Sequence, residues 1–411
     1  MGIFESYAGY STCDGKSEVN MTFLRMENVD LHNKRVLIRE DFNVPIKDGH
    51  IQNDTRLRRS LPTLQKALQA NACVLIVSHL GRPIKGEILS EAEFSLKVVA
   101  AHLSKLLNYP VRFESDWLKG VLIHPGEIVL GENVRFNKGE ETNDPILAKK
   151  MAELCDVFIM DAFAVAHRSH ASTVGVAKFS PLAVAGPLLT SELEALSKVL
   201  KTPKRPLVTI VAGSKVSTKL SVLKSLIHLV DVLIVGGGIA NTFIAAMGYN
   251  IGRSLFEPEL VNTCQEILKK AKENNIQIII PSDVVVATEE NETARIVNCN
   301  QIGLDEKIFD VGPITVQTIE KVLSTAKTIL WNGPVGVFEI DAFENGTKAL
   351  AKAIANSNAF SIVGGGETLA AIDKYGVSDK ISYISTGGGA FLEYLEGKTL
   401  PAVKVLEERM I

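Results

Sequence analysis

The constraint on the fold comes from one recurring pattern. Short runs of β-branched and apolar residues alternate with longer amphipathic stretches along almost the whole chain. Such alternation builds βα units around a parallel sheet, because a strand buried on both faces must be apolar throughout and the crossover must be helical. The strands expected in the first half are 35–39, 74–78, 128–130 and 157–160; those in the second half are 207–211, 232–235, 276–280, 328–331, 360–363 and 382–385. Between them Leu61, Leu64 and Leu68 show the spacing of one helix face. The pattern breaks at Gly186-Pro187, after which Leu189, Leu193, Leu196 and Leu200 recur at helical spacing until Lys201-Thr202-Pro203. The fold class is therefore α/β: a first lobe over 21–186, a connecting helix over 187–203, a second lobe over 204–395 and a tail over 396–411.

A length of 411 residues suits two domains. The net charge of −3 argues against a nucleic-acid partner, which a strong basic excess would serve. No apolar run reaches the ~20 residues of a bilayer span, so no membrane is expected. Five cysteines (Cys13, Cys73, Cys155, Cys264, Cys299) form no CxxC pair, and an odd, scattered set suits a reducing cytoplasm. Residues 1–20 lack the basic start and apolar stretch of a secretory signal and read as an extension without a catalytic part.

The two halves differ in chemistry. Ten of the fourteen arginines precede Gly186, and the glycine clusters lie almost entirely after it. Arginine forks match carboxylates and phosphates, whereas glycines let backbone amides approach phosphate oxygens. Ligands in open parallel sheets gather at the carboxyl ends of strands. The first such exit reads Arg39-Glu40-Asp41-Phe42-Asn43, and period 2 places Arg39, Asp41 and Asn43 on one side. This is either a polar cradle or a salt-bridged strand end. Arg56 follows, while Arg58 and Arg59 read as a solvated helix start. His79-Leu80-Gly81-Arg82-Pro83 leaves a buried-looking strand, and Pro83 stops the ladder, so His79 and Arg82 project from a turn. Arg135 and Arg168 stand at later exits. Several arginines delivered to one sheet end point to a multiply charged anion.

In the second half, Gly213-Ser214-Lys215-Val216-Ser217-Thr218-Lys219 follows a strand and opens a helix, with Lys215 and Lys219 on one helix face. It is not a Walker A loop. Three glycine triplets, Gly236-Gly237-Gly238, Gly364-Gly365-Gly366 and Gly387-Gly388-Gly389, each follow a strand. Gly389 opens a helix whose first amides suit phosphate oxygens. Glu367-Thr368 places a carboxylate beside such amides, fit for Mg²⁺ or simply for the helix start. Glu339 is either a ribose acceptor or an exposed loop acid. A nicotinamide-dependent dehydrogenase would also use strand–glycine–helix turns, but the GxGxxG turn with its distal acid is missing. A catalytically idle nucleotide-binding protein is the other alternative.

Taken in order from about Thr22 onward, these segments resemble the phosphoglycerate kinase family, most of all its bacterial members. The resemblance rests on Arg-Glu-Asp-Phe-Asn-Val-Pro at 39–45, His-Leu-Gly-Arg-Pro at 79–83, Glu-Asn-Val-Arg-Phe-Asn-Lys-Gly-Glu at 132–140, Gly-Ser-Lys-Val-Ser-Thr-Lys at 213–219 and the glycine triplets. It implies an ATP/ADP- and Mg²⁺-dependent kinase acting on 3-phosphoglycerate, a small-molecule enzyme and a monomer. It implies two Rossmann-like lobes joined by a hinge helix, with a C-terminal segment returning to the first lobe. It further implies a 3-phosphoglycerate site of Asp41, Asn43, Arg56, His79, Leu80, Gly81, Arg82, Arg135 and Arg168. The nucleotide site would comprise Lys219, Glu339, Gly365, Gly366, Glu367 and Thr368, with Glu367 toward the metal. Gly387, Gly388 and Gly389 would offer amides to phosphate, while Arg56 and Lys215 would steady the transferring phosphoryl group. Four positions depart from the family pattern: Glu40 for a small or apolar residue, Ala164-Val165 for Gly-Thr, Ala212 for glycine and Glu367 for aspartate. The acceptor would be a carboxylate, already ionised at neutral pH, so no general base is needed.

Overall fold

The computed structural model describes residues 23–84 and 92–410. The extension over 1–20 and Cys13 lie outside them. Two six-stranded parallel sheets carry the fold. The first runs in the order Val111–Glu114, Ile128–Gly131, Cys73–Val77, Arg35–Arg39, Val157–Met160, Leu182–Ala185. The second runs Gln277–Ile279, Val232–Gly236, Leu207–Ala212, Thr328–Asn332, Phe360–Val363, Tyr383–Ile384. All pairings within both sheets are parallel.

Apart from exposed Arg35 at the start of its strand, the central strands of both sheets are buried along their length, as doubly covered strands must be. Strand positions expected from the apolar runs agree to within two residues. The parallel strands not anticipated are the two short edges: Val111–Glu114, whose half-buried and exposed residues give no clean run, and Leu182–Ala185, only four residues long. Also unanticipated is a three-stranded antiparallel sheet of Arg295–Asn298, Asp283–Ala287 and Lys307–Val311, which walls one side of the second lobe.

Each parallel sheet has a point where strand order reverses on either side of its first strand. In the second lobe this lies between Leu207–Ala212 and Thr328–Asn332; in the first, between Arg35–Arg39 and Val157–Met160. Ligands belong at these points. The connecting helix is Pro187–Leu200, with Pro187 in its first turn. Its start is fixed by Asp161, whose Oδ1 accepts from Leu189 N at 3.0 Å. Caps of this kind contribute about 0.5–2 kcal/mol. Leu189, Leu193 and Leu196 join one apolar cluster that continues from Phe158 and Phe163 to Leu207, Val211 and Phe391. The last helix, Pro401–Glu408, packs on the first lobe's side: Ala402 N donates to Ala166 O at 3.0 Å and Arg409 Nη2 to Ser180 O at 2.8 Å.

Three local expectations change. Lys215 and Lys219 do not share a helix face, because the chain from Gly213 to Lys219 is a loop and the helix begins at Leu220. Arg59 is not part of a solvated helix start: its Nη2 donates to Ile384 O of the other lobe at 3.2 Å, with the guanidinium 5.9 Å from the Tyr383 ring centroid. His79 is buried rather than projecting, since the turn at Gly81 (φ 57°) folds the segment back over the sheet end.

Candidate functional site

The first sheet's exits converge. Arg56, in the first turn of the Thr55–Gln69 helix, places Nη1 2.8 Å from Asp41 Oδ2 and donates to Asn43 O at 2.9 Å. Asn43 Oδ1 accepts from Gly81 N at 2.8 Å, which ties the two exits together. His79 Nδ1 lies 3.7 Å from Asp41 Oδ1 and 3.5 Å from Arg39 Nη2. Arg135 donates to Gly81 O, and its Nε has no hydrogen-bond partner. Arg168 is half-buried beside His167, while Arg82 is exposed. Among the described residues, neither Arg82 nor Arg168 has a carboxylate within ion-pair distance. Leu80 is buried at the base of the same turn.

His79 reports the convergence electrostatically. Burial lowers its pKa well below the usual imidazole value, and Arg39, Arg135, Arg168 and Arg56 all push the same way. It is neutral at physiological pH and contributes shape and a hydrogen-bonding nitrogen rather than charge. Arg56 is paired with Asp41, and Arg135 Nε lies 3.4 Å from Glu141 Oε1, so the cations of the cluster without a carboxylate partner are Arg82 and Arg168, as a polyanion site requires.

In the second lobe, Lys219 sits at the strand-order reversal. Its ammonium donates to Ala212 O and lies 3.4 Å from Asn332 O, so both strand ends hold it. Burial lowers its pKa to about 8, against the opposing pull of Glu367. Thr368 is not free for a ligand: its Oγ1 accepts from Gly333 N at 2.7 Å and donates to Gly364 O at 2.9 Å, stapling two exits together. Sequence reasoning passed over Asn332, which does the same: its Nδ2 donates to Gly364 O at 2.7 Å and its buried Oδ1 is unpartnered.

Beside these loops is a cavity of about 220 Å³ lined by Gly213, Gly237, Gly238, Val284, Val311 and Glu339, with Glu367 at its edge. Its walls are apolar, and Glu339 and Glu367 are exposed at the rim. Asp310, also unsignalled in sequence, lies at its side. Asp310 Oδ2 accepts from Gly346 N at 2.7 Å, and burial raises its pKa to about 7.

A second cavity, of about 810 Å³, lies between the lobes. Arg56 and Arg59 line one wall, and Gly365, Gly366, Gly387 and Gly388 the other. The glycines divide by purpose. A Cβ on Gly366 or Gly388 would meet nothing within 4 Å, so their backbone is open to an incoming group. A Cβ on Gly387 would come 2.5 Å from the Phe163 ring, and one on Gly389 2.8 Å from His167 Nε2, so these two let the lobes touch. The Gly389–Leu395 helix has only seven residues.

At the back of this cavity the connecting helix joins the lobes through Glu192, another residue without a sequence signal. It is fully buried and accepts from Thr386 N at 2.6 Å and Thr386 Oγ1 at 2.7 Å. Lys215 is exposed and lines neither cavity; its loop is held by Glu257, which accepts from Ser217 N at 2.8 Å. Arg56 thus lines the interlobe cavity and Lys215 does not.

Among the described residues, no group of three or more His, Cys, Asp or Glu side chains is placed to cage a metal. A magnesium ion carried on nucleotide phosphates needs only one or two protein carboxylates, and Glu367 is a carboxylate exposed at the cavity rim. The donor set fits a shared metal and not a protein-only site. No helix of the described residues is long and apolar enough to cross a membrane.

Comparison with known proteins gives one consistent result. A family model described as phosphoglycerate kinase matches residues 26–398. A phosphoglycerate kinase of Coxiella burnetii is 58% identical over 386 residues, covering 93% of this chain and 98% of that protein. One from Legionella pneumophila is 58% identical over 391 residues, covering 95% and 98%. The solved Coxiella burnetii structure superposes with a TM-score of 0.89, covering 95% of this chain and 100% of that one. The solved phosphoglycerate kinase of Pyrococcus horikoshii, 32% identical, superposes with a TM-score of 0.81 over 94% and 99%.

Proposed function

The chain belongs to the phosphoglycerate kinase family and catalyses reversible phosphoryl transfer between 1,3-bisphosphoglycerate and ADP, giving 3-phosphoglycerate and ATP in glycolysis; from this premise we propose how its residues share the work. The arginine cluster of the first lobe binds 3-phosphoglycerate. Arg135 and Arg168 face its phosphate, Asp41 and Asn43 its polar groups, and the loop His79-Leu80-Gly81-Arg82 closes one side. The second lobe binds the nucleotide, with the apolar cavity taking the base, Glu339 the ribose, Lys219 a phosphate, and the amides after Gly365 the phosphate tail. Glu367 would hold Mg²⁺, which would supply charge neutralisation on the phosphate oxygens. Thr368 and Asn332 act through the loops they pin.

The observation that carries this reading is the interlobe cavity, in which Arg56 faces the open backbone of Gly366 and Gly388. Phosphoryl transfer needs positioning and charge stabilisation, and little covalent help from protein. Arg56 and Lys215 stabilise the equatorial oxygens once the lobes close, and Gly387, Gly388 and Gly389 offer amides from the facing side. Closure about the Pro187–Leu200 helix also excludes water, which would hydrolyse the acyl phosphate. Both binding surfaces lie within one chain, which supports a monomer. The cysteine pattern and the role in glycolysis support a cytoplasmic location.

The test is Mg²⁺-dependent ATP consumption with 3-phosphoglycerate, coupled to glyceraldehyde-3-phosphate dehydrogenase and loss of NADH. Turnover should need both 3-phosphoglycerate and Mg²⁺. ATP consumption independent of 3-phosphoglycerate would overturn the assignment.

A further inference from the structure

Glu40 is buried to 1% exposure, with Oε1 lacking any hydrogen-bond partner. An ionised, unpartnered carboxylate there would be costly. Its side chain lies within hydrogen-bonding reach of Asp161, which is also fully buried. Asp161 accepts from Thr63 Oγ1 and from Leu189 N at 3.0 Å. The Asp161 carboxyl therefore touches the helix that carries Arg56 and Arg59 and the start of the connecting helix, while Glu40 sits between Arg39 and Asp41.

We propose that Glu40 is a positioning residue for phosphoryl transfer: as a neutral carboxyl it donates to Asp161 and so locks together the substrate-strand exit, the Arg56 helix and the root of the hinge helix. Two carboxyls this close do not both ionise. Asp161, with two donors and the amino end of the Pro187–Leu200 helix, is the better home for the negative charge. The proton therefore resides on Glu40. The pKa directions agree. Burial raises Asp161 to about 6, and burial plus the Asp161 charge raise Glu40 well above the carboxylate range.

The charged and titratable groups facing the pair are Arg39 and Asp41 on its own segment and Tyr383 from the second lobe. Arg59 and Glu192 lie one layer out, acting on Tyr383. None is a free base that would take the proton. When Glu40 finally ionises, repulsion loosens Asp161 from Leu189 and Thr63, and Arg56 loses its alignment with the facing lobe. Turnover, not substrate binding, should suffer.

Glu40 has a folded pKa above its unfolded value. Its stabilising contribution is complete below the unfolded pKa near 4.5 and is lost as pH rises toward the folded value. The test compares wild type, Glu40→Gln and Glu40→Ala from pH 5 to 9, reading Tm, kcat and both KM values. Gln keeps a neutral donor. It should match wild-type kcat within about twofold at pH 6 and hold its kcat better than wild type as pH rises from there. Its Tm should gain about 2–4 °C on wild type between pH 6 and 9. Ala should lose about fivefold or more in kcat at every pH while both KM values stay within about twofold, the size of one lost buried hydrogen bond. Parallel pH profiles for wild type and Gln in both Tm and kcat would overturn the proposal. So would equal loss in Gln and Ala, which would mark ordinary packing.

Discussion

Arg56 is held 2.8 Å from Asp41 at the mouth of the cleft between the lobes. The guanidinium proposed to meet the transferring phosphoryl group is thus kept by a residue proposed to bind the acceptor. Arg56→Ala should lower kcat at least ~100-fold, since loss of an arginine at a developing phosphoryl charge costs orders of magnitude. ADP affinity measured by calorimetry should change little. Equal loss of turnover and ADP binding would contradict the division between lobes.

Arg168 is half-buried without a carboxylate partner among the described residues, so its charge is available to a substrate phosphate. Arg168→Ala should raise the KM for 3-phosphoglycerate by ~10-fold or more, the worth of one charge-assisted contact, and that for ATP by less than about twofold. The reverse order in steady-state kinetics would place Arg168 on the nucleotide side.

Lys219 carries a pKa lowered to about 8 by burial. The folded lysine gives up its proton near pH 8, the unfolded one only near 10.5. Its burial therefore costs stability in full below pH 8, and stability recovers as pH rises between the two values. Binding runs the other way, because a neutral amine no longer pairs with phosphate. ADP affinity should fall ~10-fold between pH 7.5 and 9.5, the scale of one charge-assisted bond, and Lys219→Arg should flatten that fall. Calorimetric titration across this range decides it; a flat wild-type profile would remove Lys219 from the phosphate contact.

Glu367, where the sequence resemblance expects an aspartate one methylene shorter, is exposed at the cavity rim. Glu367→Asp should shift the Mg²⁺ concentration for half-maximal rate by a few-fold, and Glu367→Gln should raise it ~10-fold or more, because Mg²⁺ tolerates little departure from its geometry. The KM for 3-phosphoglycerate should stay within about twofold in both. A Gln variant with an unchanged Mg²⁺ requirement would place the metal elsewhere.

The alternation of apolar runs and amphipathic stretches determined the α/β class and the central strands, because a doubly buried strand must be apolar along its whole length. It also determined where chemistry sits, since Arg39-Glu40-Asp41, His79 and the glycine triplets fall at strand exits. What it could not carry was contact between residues far apart in the chain. Arg59 reads as solvated until the fold brings Ile384 to it, and the pairing of Glu40 with Asp161, 121 positions away, has no local signature. Gly387 and Gly388 are identical as letters, yet one makes room for Phe163 and the other faces open space. Period and composition report a residue's own burial. Which buried partner it meets, and what that does to its proton, is decided when the lobes pack.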